Sequence, residues 1–112
     1  MKDEMLKKHG QACEKSTGLL EQTALHEAMR KLPDWELDAE ENSISRVFEF
    51  KNFYKTMAFV NAVAWIANRE DHHPDLEVGY SQCKITYSTH SAGGLTENDL
   101  VCAAAIDKLS GD

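Results

Sequence analysis

Between Asn52 and Asp71 the sequence carries a periodic apolar pattern that a long helix satisfies and a strand does not. Phe53, Met57, Val60, Ala64 and Ala67 recur at spacings of four, three, four and three, and Phe59, Val63 and Ile66 widen the stripe. This spacing predicts a helix of about five turns from Phe53 to about Arg69, with Asn52 as its N-cap. So wide an apolar surface needs covering. A sheet is the expected cover, and the alternative is a helix partly committed to an oligomer interface, because a 112-residue chain has limited core to absorb it.

The segments on either side supply such a sheet. Ala24, Leu25, Ala28 and Met29 predict a short amphipathic helix over Glu21–Lys31, stopped by Pro33. Trp35 and Leu37 alternate with acids as a short strand, and residues 39–42 form the hairpin connection. In Ser43–Phe50, Ile44, Phe48 and Phe50 share one side, where Arg46 also falls, an arginine whose stem is expected to pack while its head reaches water. Leu76, Val78 and Tyr80 make a third strand, with a bulge or early bend near Gly79. Cys83–Thr89 makes a fourth, placing Cys83, Ile85 and Tyr87 on the apolar face and His90, in continuation, on the other.

After a Gly93-Gly94 turn, Thr96 is a good N-cap, Asp99 occupies the N3 place of a capping box and Leu95 can staple to Leu100. A helix from Glu97 to about Leu109 follows. Helix, two strands, long helix, two strands and helix read as an α+β fold: a four-stranded, mainly antiparallel sheet with three helices packed on one face. Residues 1–20 are expected to be a variable polar lead-in, and residues 21–112 a single domain.

Composition narrows the function. Apolar residues at 42% and charged residues at 28% are those of a soluble globular chain. No apolar run is long enough to span a membrane, and the acidic start of the chain does not read as a secretory signal. Nineteen acidic against 12 basic residues give a net charge of −7, with no basic block, which disfavours binding to nucleic-acid backbones. Cys13, Cys83 and Cys102 are widely spaced, as free thiols in a reducing, cytoplasmic setting would be. Cys83 alternates with core residues and reads as core rather than nucleophile.

The chemistry is expected at the histidines. Asp71-His72-His73-Pro74 is followed by His90, so three of the five histidines lie between 72 and 90. Imidazole exchanges protons near neutrality, and such a pocket suits general acid-base catalysis of an elimination or hydration. The plainer alternative is a set of surface or packing histidines. Three imidazoles also suit zinc, with Asp71 or Asp75 orienting a ligand, although adjacent histidines are awkward ligands to one ion. His9 and His26 read as solvated or locally structural. Asp71, Asp75 and Glu77 make either an acidic mouth or, the preferred expectation, a solvated loop face.

With these residues in place the chain resembles the pterin-4a-carbinolamine dehydratase family, whose animal members also serve as a dimerisation cofactor of a homeodomain transcription factor. His72-His73-Pro74, Tyr80, His90 and Asp99 fall at the family's gaps, and D-H-H-P-D, Y-S-T-H and G-G-L-T-E-N-D are similar to its wording. The likeness spans about Trp35 to Leu109. The departure is the first signature place, four before His72, where Asn68 replaces a charged residue and leaves Glu70 or Asp71 to supply charge.

The resemblance implies dehydration of 4a-hydroxytetrahydrobiopterin, or a related 4a-hydroxytetrahydropterin, to quinonoid dihydropterin and water, in pterin recycling beside an aromatic amino-acid hydroxylase. It implies His72 and His90 as acid-base groups, His73 binding the pterin and sharing in catalysis, and Asp99 mainly as a helix cap. It also implies no metal or redox cofactor, and a homodimer or homotetramer. The competing expectation is a noncatalytic oligomeric interaction module or transcriptional coactivator.

Overall fold

Leu32, wholly buried, closes the first helical segment and turns the chain toward the sheet. Helix α1 (Gln22–Met29) buries Leu25 and Ala28. The amides of Lys31 and Leu32 bond back to Ala28 and Met29, so the coil tightens into turns before Pro33. The computed structural model describes residues 19–110, His90 by its backbone alone; the rest of the expected polar lead-in, with His9 and Cys13, lies outside the described residues. Leu20 bonds through its amide to the Leu95 carbonyl and packs against the core.

The four strands are β1 (Glu36–Leu37), β2 (Ile44–Glu49), β3 (Asp75–Val78) and β4 (Gln82–Tyr87), in the order β1-β2-β4-β3 and antiparallel throughout. The central register pairs Ile44 with Tyr87, Arg46 with Ile85 and Phe48 with Cys83 on the helix side. Ser45 with Thr86 and Val47 with Lys84 take the opposite face, as the two-residue period of a strand demands. The α+β expectation therefore holds, and Cys83, Ile85 and Tyr87 are fully buried.

Helix α2 (Phe53–Glu70) connects β2 to the edge strand β3, and Asn52 caps it by accepting the Lys55 amide at 2.8 Å. Its buried stripe is Thr56, Phe59, Val63, Ile66, Ala67 and Glu70, rotated from the expected one. Phe53 and Ala64 are exposed, and the residues expected only to widen the stripe form its centre. Apolar residues run around most of this helix, so the fold chooses the face. Phe59 meets Phe48 at 4.6 Å and Phe50 at 4.9 Å between ring centres, whereas Phe53 stacks on exposed Tyr80, which lies beyond the end of β3.

Arg46 corrects a second expectation. Its guanidinium carbon lies 4.2 Å from the Phe48 ring centre, so the head itself packs on the ring, and the side chain is largely withdrawn from water. Nη1 donates to Asp107 at 2.7 Å, and Asp107 also accepts the indole N–H of Trp35 at 2.8 Å. Helix α3 (Glu97–Leu109) carries Asp107 and is buried along most of its length from Asn98. A largely buried arginine head and a buried indole N–H each need an acceptor; Asp107 serves both, and the exposed Asp34 pairs with Arg46 Nη2 at 3.7 Å.

Candidate active site

The site is assembled where α2 ends, β4 ends and α3 begins. Asp71 adopts φ 52° and ψ 41°, the left-handed conformation that Asp tolerates better than most side chains. The His72 amide then reaches back to the Ala67 carbonyl at 3.0 Å, the six-to-one closure of a Schellman cap. This reversal turns His72 inward, where it is buried, and leaves His73 beside Pro74 on the surface. The two adjacent imidazoles therefore occupy different environments, as neighbouring side chains on a non-helical segment must.

His72 Nε2 lies 2.6 Å from Asp99 Oδ1. A carboxylate only accepts, so the ring donates from Nε2, leaving Nδ1 as the nitrogen not engaged by Asp99. The imidazole also stacks on Tyr87, 5.2 Å between ring centres and 16° between planes, and the Tyr87 hydroxyl donates to the His72 carbonyl at 3.3 Å. Packing and hydrogen bonding together fix this ring.

Asp99 is wholly buried at the first turn of α3. Its second oxygen accepts the Thr96 amide at 2.9 Å, so the expected cap is present. The same oxygen accepts the Thr89 hydroxyl at 2.8 Å. Capping is thus one of Asp99's contacts, and its first oxygen is the one that meets His72. The helix N-terminus suits an acid at this place.

His90 lies in a one-turn 3-10 helix, His90–Ala92, because β4 ends at Tyr87 and alternation does not carry on to residue 90. The facing of its side chain lies outside the described residues. Its turn is anchored by Thr89, whose hydroxyl shares Asp99 with His72. The backbone bearing the third histidine is therefore tied to the same carboxylate as the first. Gly93, at φ 79°, completes this loop in a conformation that favours glycine. A hollow of about 240 Å³ lined by Asn42, Ser88, Gly93 and Gly94 adjoins the loop.

His73 Nε2 is 3.0 Å from Asn68 Oδ1. Asn68, the departure from the family signature, is thus the partner of the exposed histidine. Glu70 is buried and ion-paired to Arg69 at 2.8 Å, while Asp71, Asp75 and Glu77 are exposed as expected of a solvated face, although Asp75 and Glu77 stand on edge strand β3 and not in a loop. Among the described residues no three His, Cys, Asp or Glu side chains come together as a metal site. His26 is surface-exposed and bonds Glu41. Burial pushes the Cys83 thiol up, which makes thiolate scarce and agrees with a core role.

The larger cavity, about 470 Å³, is an apolar groove between α2 and α3 lined by residues such as Trp65, Arg69 and Leu109, and no histidine lines it. No helix among the described residues is long and apolar enough to cross a membrane.

Among the described residues, a four-stranded antiparallel sheet carrying three helices, with a buried histidine-carboxylate pair at the junction of its last strand and last helix, defines an α+β protein. The family model described as pterin 4 alpha carbinolamine dehydratase matches residues 18–109, and the chain belongs to that family. A Legionella pneumophila (strain Corby) protein named "Putative pterin-4-alpha-carbinolamine dehydratase" is 49% identical over 110 residues, 97% of each chain. The crystal structure of a transcriptional coactivator/pterin dehydratase from Brucella melitensis is 32% identical, with a TM-score of 0.80 over 84% of this chain and all of that one. A pterin dehydratase-like protein identified as a RuBisCO assembly factor in the alpha-carboxysome is 25% identical, with a TM-score of 0.61 over 70% of this chain and 92% of its own.

Proposed function

We propose that the protein dehydrates a 4a-hydroxytetrahydropterin, of which 4a-hydroxytetrahydrobiopterin is the leading example, by histidine general acid-base catalysis. The observation that carries this is the buried His72-Asp99 pair at 2.6 Å, within a chain of the dehydratase family. A carboxylate behind one ring nitrogen fixes the tautomer and orientation of an imidazole, which suits a group that must present a proton in a set direction.

In the reaction, the C4a hydroxyl is a poor leaving group until protonated. One imidazole gives it a proton, the C4a–O bond breaks and water departs. The N5 lone pair forms the C4a=N5 bond, and the N5 proton passes to a second base. The balance is loss of one water, with no electron acceptor needed. His72 and His90 are assigned to the two proton transfers and His73 to the pterin, with a share in catalysis. Each positioned transfer is worth ~10²–10⁴ in rate. The pterin is substrate here, and supply by an aromatic amino-acid hydroxylase in the cytoplasm fits this role, as does assembly into a homodimer or homotetramer.

The test is the dehydration rate of freshly generated 4a-hydroxytetrahydropterin with chelator-treated protein, after subtraction of the spontaneous rate. Clear acceleration is expected, and its loss in the His72→Ala/His90→Ala double variant. Folded protein that leaves the spontaneous rate unchanged would sink the proposal, and activity that survives the double substitution would reject the assigned roles.

A second reading, a noncatalytic partner-binding module, is favoured by the exposed Trp65 on the apolar α2-α3 groove and by the likeness to a transcriptional coactivator/pterin dehydratase and to a RuBisCO assembly factor. Substituting Trp65 by Ser separates the two. A noncatalytic binding module loses its partner on this change and shows no dehydration before or after it, whereas a dehydratase keeps its rate.

A further inference from the structure

Thr89 makes more hydrogen bonds than a residue at a strand end requires. Its amide donates to the Gly94 carbonyl at 2.9 Å, and its own carbonyl accepts the amides of Ala92 at 3.0 Å and Gly94 at 3.2 Å. These close the loop 89–94 that carries His90. Its side chain is buried and points at the carboxylate that holds His72, donating to Asp99 Oδ2 at 2.8 Å.

Proton count gives these bonds a direction. A threonine hydroxyl has one hydrogen. Thr89 spends it on Asp99, so its 2.9 Å contact with the Thr96 hydroxyl must be accepted, with Thr96 donating. The chain runs Thr96 O–H to Thr89 Oγ1, Thr89 O–H to Asp99 Oδ2, and His72 Nε2–H to Asp99 Oδ1. Thr96 is wholly buried, so water does not readily replace a lost member.

We infer that Thr89 is a positioning residue, setting the Asp99 carboxylate against His72 while tying the His90-bearing loop to the same carboxylate. Backbone bonds close that loop on itself, and only the hydroxyl is seen to dock it on Asp99. Rotation of the carboxylate about its side-chain bonds is then blocked from one side by Thr89 and the Thr96 amide, and from the other by the imidazole. Without the hydroxyl, Asp99 keeps its cap bond and the imidazole but loses one of the three donors that hold its carboxylate. This inference rests on the dehydratase reading for its kinetic arm and not for its spectroscopic one.

The test compares Thr89→Val, which keeps the shape and removes the hydroxyl, with Thr89→Ser, which restores it. In the dehydration assay Thr89→Val is expected to lower kcat by ~10–100-fold, as loss of an outer partner typically does. KM should change little, and Thr89→Ser should recover most of kcat. Equal losses in Val and Ser variants, or full activity in the Val variant, would overturn the inference.

The second readout is the NMR signal of the His72 Nε2–H proton, whose position reports the short bond to Asp99. It is expected to move in Thr89→Val and return in Thr89→Ser. If the wild-type protein does not accelerate dehydration, the proposed function fails while this signal still decides the role of Thr89. An unmoved signal overturns it. Should Thr89→Val not fold, the wild-type protein is probed directly: a hydroxyl proton held between Thr96 and Asp99 exchanges slowly enough to be seen, and its absence overturns the donor assignment.

Discussion

His72 Nε2 and Asp99 Oδ1 are 2.6 Å apart, although 27 positions separate them in the chain. The pair joins the C-terminal cap of α2 to the first turn of α3, so the same contact that aims an imidazole also fastens two helix ends. Asp99→Asn tests the aiming. It keeps the side chain's shape but removes the charge, and the amide can present its N–H to the imidazole in place of an acceptor. A fall in kcat of about 10²-fold is expected, with the helical circular-dichroism signal retained. Dehydration kinetics on folded protein check it, and an unchanged kcat would remove Asp99 from the mechanism.

His73 sits on the surface with Asn68 at 3.0 Å, an arrangement that suits binding rather than a buried proton transfer. His73→Ala is therefore expected to raise KM on the order of tenfold, the equivalent of one good hydrogen bond. It should also lower kcat, since His73 is assigned a share in catalysis. Asn68→Ala should move KM in the same direction by less, since it frees the ring without removing it. A KM unaffected by either change would move the pterin contact elsewhere.

Asp107 accepts from both Arg46 and Trp35, and the Arg46 head is largely buried. Asp107→Ala leaves a buried cation short of its nearest partner and an indole N–H without its acceptor. The expected cost is about 3 kcal/mol, which lowers the thermal midpoint by roughly 10 °C or more. Scanning calorimetry measures it. The folded variant should retain its dehydratase activity, because the contacts that hold His72 and His73 run to Asp99, Tyr87 and Asn68.

Glu41 links the β1-β2 turn to α1. Hydrogen bonds from His26, first, and from Gln22 hold its carboxyl below the usual value of 4.5. A depressed carboxylate stabilises the fold above its unfolded pKa, and that contribution is lost as pH falls through the lower folded value. The gap in thermal midpoint between wild type and Glu41→Gln should be present above the usual carboxylate value of 4.5 and shrink as pH falls below it. A gap that widens on acidification would contradict the assigned contacts.

Much of the architecture is written in short-range chemistry. Asn52 and Thr96 mark helix starts, and the Asn52 amide contact and the Asp99 arm of the α3 cap are both found. Helix α3 runs over Glu97–Leu109 as expected, and the alternation of Cys83, Ile85 and Tyr87 fixes the inner face of β4. Caps and two-residue alternation depend on neighbours a few positions away, so they survive being read one segment at a time.

The tertiary structure decided what local chemistry leaves open. Helix α2 is apolar around most of its circumference, and the sheet and α3 packed against it selected Phe59, Val63 and Ile66 over Phe53 and Ala64. Arg46 gained a buried carboxylate in place of water because Asp107, 61 residues later, came to lie over β2. The histidine signature marked His72, His73, His90 and Asp99 as a group. Which of these touch was another matter, since a hydrogen bond between side chains 27 residues apart exists only where the fold brings two helix ends together. Periodicity and capping belong to the sequence because their partners are near in the chain; the His72-Asp99-Thr89 connection belongs to the structure because its partners are near only in space.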